Sequence, residues 1–397
     1  MSLSFRDPRR GRLRPAVTLP VIAALLASGG AGAPGIAQTI PKLTVSGQAQ
    51  GSSNPFLLPG GNTGGAALGL SIEPGITITD RDSVITLAGV ITERQYSRRY
   101  GNFVLGNVSG QGTYRDSERL SASGTVSFSR DVSIDVVTDS IDALADPRSI
   151  RNTLGGRVAM QWHPDQYTDI EPVLSSQRNS YTDSRLLSDT RSLLAELSAR
   201  KRTGPTTKVG VRGAANWISQ AGQPDNSILA VYVTVNKQLG ESWRLTAEGG
   251  AERAGVRQTE LADTIWRTPA RIRPSVVAEL CRDGERVIGC LTGSLVSQVS
   301  GLAGLQRRLS AAATFTSRLS QRIRLVTVAE YQRASIEAAA LPPLESLAGR
   351  ASLAWDCNQT LTLVGVVEYR RREDWTFGVT DAGFVGLELR FSPRLRS

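Results

Sequence analysis

Histidine is nearly absent from this chain: His163 is the only one in 397 residues. Acid–base chemistry built on imidazole would rest on that residue alone, in the turn Trp162-His163-Pro164-Asp165. Cysteine occurs three times without a C-x-x-C pair, which excludes the usual zinc sites. Lysine occurs four times, so nearly all of the 46 basic residues are arginine. Proline is sparse at 18 residues, which excludes a collagenous or Pro-rich disordered chain. G-x-S-x-G, Walker A and dinucleotide-binding patterns are missing, and no two carboxylates stand out as a glycosidase pair. Neither an enzyme nor a cofactor is expected. After residue 37 no apolar run reaches the 18 residues of a membrane helix.

What is present begins with a leader. Five arginines precede the apolar run 16–27, and small residues follow, ending at Gly35-Ile36-Ala37. This predicts a secretory signal peptide over 1–37, cleaved near Ala37. The leader holds five Arg and one Asp, so the mature chain keeps +6 of the +10 net charge.

From Ala66 to Phe391 the dominant period is two. Leu120, Ala122, Gly124, Val126 and Phe128 alternate with serines and Thr125, and Leu361, Leu363 and Val367 oppose Thr362, Glu368 and Arg370. In a strand such sets point to opposite faces. About sixteen segments read this way, including 132–139, and most are long enough for a tilted membrane-spanning strand. The connections alternate short and long, which places short turns on a periplasmic rim and long loops on an extracellular one. Trp162, Tyr167, Trp243 and Trp355 sit beside short connections; Trp217, Tyr369, Trp375 and Phe377 sit near long ones, as in two aromatic girdles. The expected fold is therefore all-β: a closed antiparallel transmembrane β-barrel over 66–391. A Gly/Ser-rich periplasmic segment, 38–65, precedes it, and a tail, 392–397, follows.

Candidate functional residues are polar-face arginines and a cysteine pair. Arg157, Arg200, Arg212, Arg350, Arg370 and Arg390 stand among Glu196, Glu248, Glu252, Glu368 and Glu388. In a barrel these line the lumen, either as a self-neutralising ladder or as an electropositive channel for an anionic solute or polymer. The connection 255–302 is the longest and holds Arg257, Arg267, Arg271 and Arg273, candidates for a constriction. Cys281 and Cys290 bracket an Asp-Gly turn and are expected to pair in an oxidising compartment, pinning the tip of that loop; Cys357 is left free. The arginines follow strand periodicity without a basic stripe, so nucleic acid is not an expected partner.

Two stretches carry a resemblance. The last strand, Gly383–Phe391, with Gly386, Leu389 and the terminal aromatic Phe391, resembles the C-terminal signal of bacterial outer-membrane barrels, which implies outer-membrane lipid and the barrel-assembly machinery as partners. Ser53-Asn54-Pro55-Phe56, followed by Gly60, Gly61, Gly64 and Gly65, resembles a motif of the beta-barrel porin 2 family, with Ser53 where that family often has Asp. That resemblance implies a porin-like Gram-negative outer-membrane barrel, serving export or surface assembly of an anionic exopolysaccharide together with export components. A non-conducting structural or adhesive barrel and a soluble secreted all-β binding protein are the other readings.

Overall fold

The computed structural model describes residues 38–393 apart from 61–62, 98–99, 137–145, 183, 185, 224, 257–270, 303, 337–341 and 375–377. The leader, most of the C-terminal tail, Arg257, Arg267, Trp375 and Phe377 therefore lie outside the described residues.

The alternation of polar and apolar side chains builds strands of 13 to 16 residues. In order they are β1 Gln38–Ser52, β2 Gly65–Thr79, β3 Ser83–Tyr96, β4 Asn102–Arg115, β5 Leu120–Val132, β6 Ile150–Asp165, β7 Thr168–Thr182, β8 Thr190–Gly204 and β9 Thr207–Gln220. The second half holds β10 Asn226–Gln238, β11 Trp243–Val256, β12 Arg271–Asp283, β13 Val287–Ser300, β14 Gly304–Arg318, β15 Ile323–Ile336, β16 Leu344–Asp356, β17 Leu361–Asp374 and β18 Gly378–Phe391. Each pairs antiparallel with the next, and β18 pairs with β1 from Val45↔Phe391 to Ser52↔Phe384, so the sheet closes on itself. Closure removes the sheet edge, the one part of an antiparallel sheet that leaves backbone groups unpaired.

In β10, Ile228, Ala230, Tyr232 and Thr234 turn inward and are buried, while Leu229, Val231 and Val233 turn outward and are exposed. The same parity puts Val126, Phe128, Val367, Val385 and Leu387 on the outer wall. Fourteen residues rise about 48 Å along the strand, and a tilt near 40° leaves about 35 Å of height, enough to carry an apolar band about 25 Å tall. Trp162, Tyr167, Trp243 and Trp355 form one exposed aromatic group at the rim that bears both termini; Trp217 and Tyr369 stand outward near the other rim.

The ring has eighteen strands where sixteen were expected. Residues 38–52, expected as part of a periplasmic segment, are the first strand; Leu43, Val45, Gly47 and Ala49 alternate with Thr44, Ser46, Gln48 and Gln50. The connection 255–302, expected as one long loop, contains the hairpin β12–β13. The strand expected over 132–139 is not found among its described residues: β5 runs through Arg130-Asp131 to Val132, and Ser133–Val136 form a 3-10 turn. Every connection on the rim of the termini is two to four residues long, and all the longer ones lie on the far rim, where 301–303 and 375–377 are nevertheless as short as turns.

The disulfide moves with this correction. Cys281 and Cys290 are joined and face each other across β12 and β13, beside the short turn 284–286. They lie on the terminal rim with Cys357, instead of pinning an outer loop.

Candidate functional site: the barrel lumen

Inward parity gathers the polar-face charges into ion pairs. Arg212 on β9 holds Glu196 of β8 at 2.7 Å and Glu248 of β11 at 2.5 Å. To reach Glu248 it crosses β10, which offers no charge there, and rests 4.2 Å from the centroid of the Tyr232 ring. Arg200 on β8 bonds Glu171 of β7 at 3.3 Å, and Arg157 of β6 approaches the same carboxylate at 3.7 Å. Arg390 bonds Glu388 at 2.8 Å on β18, and Arg370 bonds Glu368 on β17. Below them His163 Nδ1 lies 2.7 Å from Asp169 Oδ1, whose other oxygen takes the Lys208 ammonium at 2.5 Å. These contacts pair each of the arginines just named with a carboxylate, some across strands and some within one. Arg350 is lumenal, exposed, and makes no ion pair among the described residues. Arg271 and Arg273 open β12 at the far rim, so they belong to the wall, not to a loop.

The far mouth is narrowed by segments folded inward. The connection from β1 to β2 carries Asn54-Pro55-Phe56-Leu57, placed by sequence in the periplasm but lying here at the far rim, with Phe56 and Leu57 fully buried. Asn54 closes this turn: its Nδ2 donates to the Leu58 carbonyl at 2.8 Å and its Oδ1 accepts from the Leu58 N–H at 2.9 Å. Leu57 takes a left-handed φ of 47°, strained for a residue with a Cβ. Ser53 Oγ accepts from the Gly383 N–H at 2.9 Å, anchoring the turn to β18. The Phe56 ring packs on Tyr96, Tyr100 and Phe103, with centroids 5.0 to 5.8 Å apart.

A second inward element is the turn Ser133–Val136. Asp135 receives Arg94 of β3 at 2.8 Å, and Arg370 of β17 donates to the Ile134 carbonyl at 2.9 Å. Two strands well apart on the ring thus hold one turn over the lumen. Its Ile134 joins the Phe56 cluster, against which Leu302 of the β13–β14 connection also packs. Gly301 beside it accepts from the Ser188 N–H and from Gln220 Nε2, at 3.0 and 2.8 Å.

Two lumenal cavities lie among these elements. One, of about 300 Å³, is charged: Arg94, Asp135, Arg350, Glu368, Arg370 and Glu388 line it. The other, of about 420 Å³, is lined chiefly by hydroxyls and amides, including Ser127, Ser175, Asn179, Ser192 and Asn216, with Arg157 the one ionisable group among the described residues. The hydroxyl cavity was not read from the sequence. Its signal was there, in the serine and threonine runs of β5, β7 and β8, but which of them share a space depends on closure.

On the closing strand, Gly386 turns inward opposite Gln50, while Leu389 and Phe391 turn outward opposite Gly47 and Val45. Phe384 turns inward, and the Arg370 guanidinium stands 4.8 Å from its ring centroid.

No protein-family model and no curated protein matches the sequence. Solved structures with partial similarity to the chain include the following. OccK2 (OpdF) of Pseudomonas aeruginosa superposes with a TM-score of 0.48 at 10% identity over 90% of this chain and 98% of its own. OccAB4 of Acinetobacter baumannii gives 0.47 at 8% identity over 90% and 98%, and a BenF-like porin of Pseudomonas fluorescens gives 0.47 at 10% over 90% and 99%.

Proposed function

We infer that this protein is a porin-like barrel of a Gram-negative outer membrane, reached by way of the 1–37 leader, and that it passes a small hydrophilic solute. The carrying observation is the contrast between the two faces of one closed ring. The outer wall exposes Leu68, Val126, Val158, Val231, Val367 and Leu387, while the inner wall holds Arg–Glu pairs, hydroxyls and amides. In water the outer face would be an apolar patch far larger than soluble monomers tolerate, which argues against the soluble binding protein. In lipid it is the face required. The C-terminal strand supports recognition by the barrel-assembly machinery, since its outward Leu389 and Phe391 stand at the β1–β18 seam.

The inward turns at 53–58 and 133–136 favour a small solute over a polymer. Passage of an anionic exopolysaccharide, together with partner export components, would need both displaced and rests on the family resemblance alone. The same turns also favour the second reading, a non-conducting structural barrel. Planar-bilayer recording separates the two: discrete conductance steps support the pore, and their absence from a correctly folded, liposome-inserted barrel supports the structural reading.

A further inference from the structure

The ladder between β12 and β13 is incomplete. It runs from Asp283↔Ile288 to Val276↔Leu295 and stops there. Beyond it β12 stays paired to β11 as far as Arg271, and β13 stays paired to β14 as far as Ser300. Five residues on each side, Arg271–Ser275 and Val296–Ser300, therefore face each other without ladder bonds, a slit about 17 Å long that opens at the far rim. Pro274 contributes directly, because it has no N–H to donate.

Side chains lace the slit in place of the ladder. The Glu252 carboxylate, buried from the lumen side, accepts from Tyr232 Oη at 2.7 Å, Ser275 Oγ at 2.8 Å and the Ser297 N–H at 2.8 Å. Arg307 enters from β14, bonds Glu252 at 3.2 Å and donates to the Pro274 carbonyl. Ser275 Oγ also bonds the Leu295 carbonyl at 3.2 Å. The β4–β5 ladder also stops short, at Gly106↔Arg130, but buried Leu105, Val132 and Ile134 fill that place with apolar packing. The β12–β13 slit is held by a charged cluster instead. Parting a ladder in lipid strands backbone groups with no partner at all, whereas parting this slit exchanges side-chain partners.

The outer wall beside the slit is also shaped. Small residues Gly213, Ala215 and Ala251 leave a depression of about 620 Å³ between Leu197, Val231 and Ile272. Exposed Arg253 stands at its far-rim end, and its β12 edge, Ile272, lies two residues from Pro274.

We propose that the β12–β13 slit is a lateral portal through which a single-chain amphiphile with an anionic headgroup passes between the bilayer and the lumen. The depression holds the acyl chain. Arg253 meets the headgroup, and the Arg307–Glu252 pair is the latch that parts to let it through the wall. The proposal rests on the barrel lying in a bilayer and does not depend on the pore conducting.

The test uses the mature chain in liposomes containing a lysophosphatidylglycerol with a diazirine on its tail, mapping photolabelled peptides by mass. The expected result is labelling of outer-wall residues near Ile272 and also of inward residues near Tyr232 and Ser275. Pro274→Cys with Ser297→Cys places two thiols opposite each other, continuing the register of Val276↔Leu295. Oxidation of that pair should leave outer labelling intact and lower inward labelling about tenfold, as the competent fraction falls. Reduction should restore it, with wild type treated alike to control for Cys281–Cys290. Arg307→Gln should raise inward labelling. If the double variant does not fold, the single variant decides: no rise overturns the portal. Outer labelling without inward labelling in wild type overturns it as well. Absence of all labelling overturns the bilayer placement on which it rests.

Discussion

At the scale of single residues, parity decides which substitutions the wall accepts. Val367 sits mid-strand on the outer face of β17, and its neighbour Val366 lines the charged cavity. Val367→Arg should cost about 2–4 kcal/mol of folding free energy in liposomes, the mid-bilayer penalty for a lipid-facing arginine. Leu363→Arg, outward but close to the terminal rim, should cost about 0–1 kcal/mol, because the penalty falls with depth. Thr362→Arg, which faces inward, should cost little. Urea titration of the three variants checks the order, and equal costs would refute the face assignment. Arg212 makes a second case. Arg212→Leu strands Glu196 and Glu248 without their cation and should cost about 2–3 kcal/mol, less than for a dry pair because the lumen is wet. Adding Glu196→Gln and Glu248→Gln should recover most of that loss in the same titration. The inward parity of these three residues was legible in the sequence. The reach of Arg212 over Tyr232 to a strand two places away was not, since it depends on β10 presenting a ring where its neighbours present charges.

Among elements, the connection from β1 to β2 bears most directly on the proposed pore. Its Phe56 ring is buried at the far mouth, so Phe56→Ala should loosen the turn and raise single-channel conductance, while the wall, which holds the ladder, stays folded. Thermal unfolding should move little compared with conductance; the opposite pattern would show Phe56 to be part of the fold's core and not of a constriction. The β12–β13 hairpin gives a contrasting expectation. Deleting 275–295 would remove most of two strands and open the ring, so this segment cannot be trimmed as a loop. Its disulfide should appear as a Cys281–Cys290 peptide in non-reduced mass mapping, with Cys357 alkylated as a free thiol. Reduction should leave conductance unchanged, because the bridge sits at the terminal rim and joins strands already paired. These elements were hard to read in sequence for a physical reason. β1, β12 and β13 carry Gly, Ala, Pro and Ser on their outward faces, which weakens the two-residue alternation, and β12 starts among arginines that look like loop.

Over the whole molecule, selectivity follows from how the lumenal charge is paired. Most lumenal arginines described here are committed to carboxylates, so a conducting barrel should show a reversal potential near zero in a salt gradient, with only a small anion preference that fades as salt rises. Arg350→Gln removes a lumenal cation that makes no ion pair among the described residues and should shift that preference toward cations, most at low salt. A strong anion preference that survives Arg350→Gln would point instead to Arg257 and Arg267.

The two-residue period, the scarcity of histidine and cysteine motifs, and the alternation of short turns with loops determined the class of this protein by themselves: antiparallel strands with one apolar and one polar face. Those features are local, because side-chain direction along a strand depends only on the pleat. Tertiary structure alone decided the strand count, the rim on which the cysteines lie and the placing of Asn54–Leu58 inside the mouth. It also decided that the β12–β13 ladder stops at Val276. Each of these depends on the closing of β18 onto β1, which assigns every residue a height and a neighbour that no stretch of sequence carries alone.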